Sequence, residues 1–276
     1  MPVRRYRGAV ALRAFPGSLY GPETVAWRVN QEGVLLLGGP RALLLQLAEP
    51  AVATGVAEHS GFEGDPFARL ARTLDAMTAI SFGPPDLAEA TLAGLAAVHA
   101  RVQGTLPDGR PYRADDPELQ WWVLATLIDT VLRVERRYLG RLTLHDRQRY
   151  YGEALLMVDT FGIPGAIVPP DLAAFEAYMV DRFATLEVTD TARALARSVL
   201  RPPVPLVPPP VFDLLALVTF DLLPPRLRAA YGLSFDRPRR LLLGATQAGL
   251  RSVLPKLPAL MRGLPMALVP RLSSRV

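Results

Sequence analysis

Apolar residues recur along this chain at spacings of three and four, the period of one helix face, and no strand-rich region is found. Ala76, Met77 and Ile80 continue the face that begins with Arg69 and Thr73, with Arg72 beside them. Leu92, Leu95, His99 and Val102 form a second stripe. A third holds Trp121, Leu124, Ala125 and Ile128, with Trp122, Thr126 and Asp129 next to it. Two guanidiniums and a hydroxyl therefore stand at one end of an otherwise apolar stripe, and an imidazole lies among aliphatic side chains on the next.

Caps and breakers bound these segments. Asp65-Pro66 opens the helix bearing Arg69, Gly83-Pro84-Pro85 ends it, and Asp86 is expected to cap the helix bearing His99. Val34 to Leu47 reads as a helix interrupted near Gly38-Gly39-Pro40, and Val52 to Glu58 resumes beyond Pro50. Pro107-Asp108-Gly109 marks a polar turn within Leu106 to Arg113, and Asp115-Asp116-Pro117-Glu118 starts the tryptophan helix. Thr143 precedes a helix over Leu144 to Thr160, and Asp171 begins one that reaches about Leu186. Further helices are expected over Thr189–Val199, Phe212–Leu223, Arg226–Tyr231 and Pro238–Leu254. The pattern predicts an all-α fold.

Composition refines this picture. Half of the 276 residues are hydrophobic, which suits buried helices. The 27 prolines cluster, most densely between Pro202 and Pro210, as an extended spacer or turn. The expected organisation is one helical bundle over residues 1–200, with a proline-rich helical region over 201–276 packed on it. The cations are nearly all Arg, the net charge is +5 and the pI about 9.9. Arg is interleaved with Asp and Glu along most of the chain, and no nucleic-acid motif accompanies it, so no nucleic-acid partner is expected. The absence of Cys excludes disulfides, iron–sulfur clusters, thiolate haem ligation and Cys-type structural zinc. The first residues, MPVRRYRGAVALRAFPG, lack the apolar core of a secretion signal, and no stretch approaches a membrane span. The expected location is cytoplasmic, with peripheral membrane contact left open.

Candidate chemistry centres on His99. An inward histidine on an apolar face is either a core residue satisfied by a neighbour or an axial ligand to haem iron. A haem pocket needs one proximal side chain, an apolar slot and cations near the propionates, and the Arg69 helix offers the last two. Trp121 and Trp122 read as core packing or as the lining of a haem face. Asp129 needs a partner if buried, and an Arg from the Arg69 helix is the expected one. His145, in a polar first turn, is expected at the surface. Glu58 and His59 end a helix, where they cap it and face water.

The blocks RALLLQLAEPAVATGVAEHSGF, DPFARLARTLDAMTAISFG, VHARVQG, YRADDPELQWWVLATLIDT and YYGE, in this order, resemble the DUF2236 family of latex-clearing rubber oxygenases and mpaB-type oxygenases. The resemblance runs from about Val34 to Asp181 and extends more loosely to LLPPRLRAAYGLSF. It implies a single helical bundle of the rubber-oxygenase type enclosing haem b, with His99 as axial ligand and metal-binding residue and Arg69 with Thr73 as a required pair. Arg72 stands where the rubber enzyme has Lys, and it cannot act as a neutral amine ligand. Glu49 and Leu124 stand where the family commonly has His. Under this reading Arg69, Arg72, Thr73 and Glu58 are the catalytic candidates, Glu58 moving protons, and Met77 and Trp122 join His99, Arg69 and Thr73 against the cofactor. The implied function is oxidation of an apolar substrate by dioxygen, with cleavage of an isoprenoid C=C bond as its specific form. A peroxide-dependent haem oxidase, and a non-catalytic haem-binding or gas-sensing protein, are the alternatives.

Overall fold

The computed structural model of the chain describes residues 17–59, 66–202, 209–258 and 261–263, and within these not the side chains of 66–71, 209–210 and 255. The architecture is all-α, as the periodicity predicts. Helices α1 (Val25–Asn30), α2 (Gly39–Leu47) and α3 (Pro50–His59) lead to a helical pair, α4 (Pro66–Phe82) and α5 (Pro85–His99). After a small hairpin come α6 (Pro117–Val134), α7 (Leu144–Thr160), α8 (Leu172–Thr185) and α9 (Asp190–Leu200). Helices α10 (Pro209–Leu222), α11 (Pro225–Ala230) and α12 (Arg237–Val253) follow.

Local chemistry sets most of the ends. Asp116 accepts a bond from the Glu118 amide at the start of α6, and Thr143 with Asp146 forms a reciprocal capping box on α7. Asp171 and Thr189 cap α8 and α9. Asp86 does not cap α5: Pro84 holds that position with extended backbone, Pro85 fills the first turn, and Asp86 lies just inside it. Its charge there still complements the free amides of the helix start.

The core is built around α2 and α6. Helix α2 packs on α6, α9, α3 and α10, while α6 also meets α7. Trp121, Trp122, Ala125 and Ile128 are buried with Leu44 and Leu45 in one hydrophobic cluster. Phe82, at the end of α4, meets Trp27 edge-on with ring centres 5.2 Å apart. The interruption expected near Gly38 is a 3-10 turn over Gly33–Gly38 that lies against α6. A β-carbon on Gly38 would stand 2.5 Å from Thr130 Cγ2 and 2.8 Å from Val134 Cγ2, so only glycine lets this turn approach α6. Gly38→Ala is expected to cost about 1–3 kcal/mol by overpacking, read as a lower urea midpoint at unchanged slope.

Two expectations require correction. The polar turn at Pro107-Asp108-Gly109 carries a short antiparallel hairpin, with β1 (Gln103–Thr105) paired to β2 (Pro111–Arg113) in the register Gly104 opposite Tyr112. Among the described residues, which do not include the Arg69 side chain, the cations on Asp129 come from α2 and α6 and not from α4. The carboxylate is held by Arg41 of α2 at 2.5 Å and by Arg133, one turn along α6, at 2.9 Å.

Candidate functional site

Helices α4 and α5 pack chiefly on each other and lie against the core along one side. Exposure falls along the α4 stripe in the order the sequence suggests. Thr73 is exposed, Ala76 and Met77 are half-buried, and Ile80 is buried. Arg72 is exposed beside Thr73. Arg69 lies in the first turn of α4, and its side chain falls outside the described residues, as does Asp65.

Helix α5 has no fully buried residue. Leu92, Leu95, His99 and Val102 are half-buried, while Ala93, Gly94, Ala96, Ala97 and Val98 are exposed. The predicted stripe is therefore the inner face of α5, with Leu92, Leu95 and Met77 packed against the main cluster. His99 is the last residue of α5, where the helix carbonyls carry partial negative charge that favours a bound cation. The chain then turns into the hairpin. The Val102 amide donates to the His99 carbonyl at 3.0 Å, and the Ala114 amide donates to Val102 at 2.9 Å. Asp115 lies beyond the second strand. Its carboxyl is held below the usual range mainly by the Arg113 hydrogen bond, with a smaller pull from His99.

The hairpin also takes hold of α3. Tyr112 is buried, and its hydroxyl donates to Glu58 Oε2 at 2.5 Å. Burial, and then Glu58, push the phenol up to about 12. His59 Nε2 lies 3.9 Å from the same carboxylate oxygen. A β-carbon on Gly55 would lie 3.2 Å from the Tyr112 ring and 3.5 Å from Val102, so α3 closes directly onto the segment that follows His99. Glu58 and the end of α5 are thus joined through one small hairpin. Tyr112 was not singled out by sequence reasoning. It opens the family-like block YRADDPELQWWVLATLIDT, and its local setting, Arg110-Pro111-Tyr112-Arg113, is too weak a signal to single it out.

Trp122 lies deeper, 1% exposed on α6, and its indole N–H has no acceptor. The Arg182 guanidinium covers the ring at 4.9 Å and reaches Glu49 at 2.7 Å. Glu49 therefore belongs to an ion pair against Trp122, and Leu124 is a plain core residue. His145 is exposed.

Asp75 escaped the sequence reading although it sits in the apolar run Leu74-Asp75-Ala76-Met77. One of its carboxylate oxygens is buried without a hydrogen bond, and burial pushes the group up to about 6. A carboxyl raised above its unfolded value favours the folded state at low pH, and that advantage is lost as pH rises through about 4 to 6. Asp75→Asn should flatten this part of the stability profile. It should add about 1 kcal/mol at neutral pH, a figure discounted for the partial exposure of the group. Urea titrations of both proteins across that range check it.

Among the described residues no three His, Cys, Asp or Glu converge on a common point, so a lone imidazole is what α5 offers an iron. A cavity of about 240 Å³ elsewhere is lined by Arg28, Glu32, Arg141 and Arg262, and none of the candidate residues reaches it.

The sequence profile of the ER-bound oxygenase mpaB/B′ and rubber oxygenase catalytic domain matches residues 27–253. The chain belongs to this family. Two curated relatives are 30% identical over 162 residues: the uncharacterized proteins Rv2237 of Mycobacterium tuberculosis and Mb2261 of Mycobacterium bovis. The matched part is 57% of this chain, which spans 63% of the length of those relatives. No solved structure matches the chain significantly. Helices α4, α5 and α6 all lie within the stretch that the mpaB/rubber oxygenase family profile matches. Among the described residues, no helix of this family member is long and apolar enough to cross a membrane.

Proposed function

We propose that the protein is a haem b-dependent oxygenase of apolar organic substrates, with His99 as the axial ligand and an isoprenoid C=C bond as the target of dioxygen. The observation that carries this reading is the inner face of α5, where one imidazole stands half-buried between aliphatic side chains. The residues fit the group. A neutral imidazole is a proper axial donor, Leu92 and Leu95 share its helix face, Met77 packs on the same core cluster as they do, and the Trp122 N–H is a buried donor without an acceptor.

Haem, when bound, supplies the dioxygen chemistry that no side chain can perform. The chain supplies the rest. His99, at the carbonyl end of α5, would hold the iron. The apolar side chains of Leu92, Leu95 and Met77 would exclude water and favour an apolar substrate. Arg69 and Arg72 would offer guanidinium groups, and Thr73 a hydroxyl as hydrogen-bond donor or acceptor. Glu58, tied to the Tyr112 hydroxyl, can accept a proton and return it.

The test is an absorption spectrum of protein produced with added haem, followed by dioxygen uptake with a polyisoprenoid and analysis for carbonyl products. A Soret band with dioxygen-dependent cleavage is expected. Absence of the band after reconstitution would sink the haem reading. A band with turnover only on added peroxide would replace the oxygenase by a peroxide-dependent oxidase.

A further inference from the structure

Helix α12 turns Leu243 and Gln247 inward and leaves an apolar face on the other side. Leu241 is 67% exposed, Leu242 57% and Val253 54%. At a hundred degrees per residue, Ala245 and Gly249 fall between these three, so they form one strip along the helix. Ala245 and Gly249 are themselves exposed. Met261, 53% exposed, follows in the next helical turn. Arg237, Arg240 and Arg251 lie along one border of the strip and Arg239 along the other, all exposed.

The charge around this strip is one-sided. From Arg237 to the last residue the sequence has no Asp or Glu. Eight of the 31 Lys and Arg fall in that stretch and none of the 26 Asp and Glu. The preceding 236 residues therefore carry a net −3 and the last forty +8. Among the described cations here, Arg239 is tied to Asp236 at 3.5 Å and Arg262 to Glu32 at 2.9 Å. A second copy of this face would bring like charges together, which disfavours self-association. A nucleic acid would use the arginines but has no use for exposed leucines. A surface that is anionic outside and apolar beneath fits both features.

We propose that α12 docks the protein on an anionic lipid membrane. Leu241, Leu242 and Val253 enter the acyl boundary, and Arg237, Arg240 and Lys256 meet the lipid phosphates. This docking is independent of the haem reading. It would bring the domain to the phase in which apolar molecules concentrate.

The full chain is sedimented with vesicles of phosphatidylcholine alone and of phosphatidylcholine mixed with phosphatidylserine. Binding is expected to the mixed vesicles and to be weak for the neutral ones. The double variant Leu241→Asp/Leu242→Asp should bind about 100-fold less tightly, since each buried leucine contributes roughly tenfold. Arg237→Gln/Arg240→Gln should lose about tenfold at low salt and less at high salt. Val180→Asp, at an exposed apolar position of α8, should bind like the wild type. All these positions are at the surface, so melting curves should superimpose. Equal binding to both kinds of vesicle, or none to either, overturns the proposal. So does undiminished binding of the leucine variant. Light scattering that shows a dimer broken by the leucine variant, without vesicle binding, would assign the face to a second copy and overturn it as well.

Discussion

His99→Ala is expected to lose the Soret band and to reduce turnover more than about 100-fold, because loss of a group that merely orients a metal ligand already costs 10–100-fold. Stability should hardly change. Helix α5 has no fully buried residue, and His99 ends it rather than filling the core. The two readouts therefore separate the roles: a core histidine would lower the melting temperature of the haem-free protein, and a ligand would not. Added imidazole should restore part of the band by entering the space left by the side chain. A variant that keeps an unshifted band would remove His99 from the iron and return it to the bland role of a satisfied helix-end residue.

The pattern that points to His99 is local, which is why it was legible. Leu92, Leu95, His99 and Val102 need only helical geometry to share a face, and the structure gives all four the same half-burial while the side chains between them are exposed. Thr143, Asp116 and Asp171 are likewise read from the few residues that follow them, and each caps its helix. What failed was pairing at a distance. The Asp129 carboxylate needs a cation, and the sequence says so, but the partner is Arg41, 88 residues earlier in the chain. Nothing in the spacing distinguishes Arg41 from the arginines of α4. The hairpin was missed because strands of three residues give alternation too short to detect. Tyr112 and its bond to Glu58 were lost with it. Asp75 shows a different gap. An acid among apolar residues is a signal in itself, and Asp75 carries it as plainly as Asp129 does.

Arg41→Met is expected to destabilise the protein by about 3–5 kcal/mol, the loss that follows when one member of a buried ion pair is removed. Arg41 is completely buried, and its three bonds link separate elements. Nε donates to the Leu222 carbonyl at 2.8 Å, Nη1 to Thr130 at 2.5 Å, and Nη2 to Asp129. Burial lowers the guanidinium's affinity for its proton, and Asp129 opposes that effect by holding the charge in place. Methionine fills much of the same volume but satisfies none of the three acceptors. Arg133 Nε would remain on Asp129, 2.9 Å from the same Oδ2 that Arg41 holds, so the carboxylate would keep its half-exposed cation and lose the fully buried one. Domains of this kind are stable by only about 5–15 kcal/mol, so the single change should move the urea midpoint far enough to measure without ambiguity. The double variant Arg41→Met/Asp129→Leu separates the causes. If most of the loss comes from the stranded carboxylate, removing it should recover a large part of the stability, since apolar replacements of buried ion pairs are often neutral or better. If the double variant is as unstable as the single one, the bonds from Arg41 to Leu222 and Thr130 are what join α10 and α6 to α2.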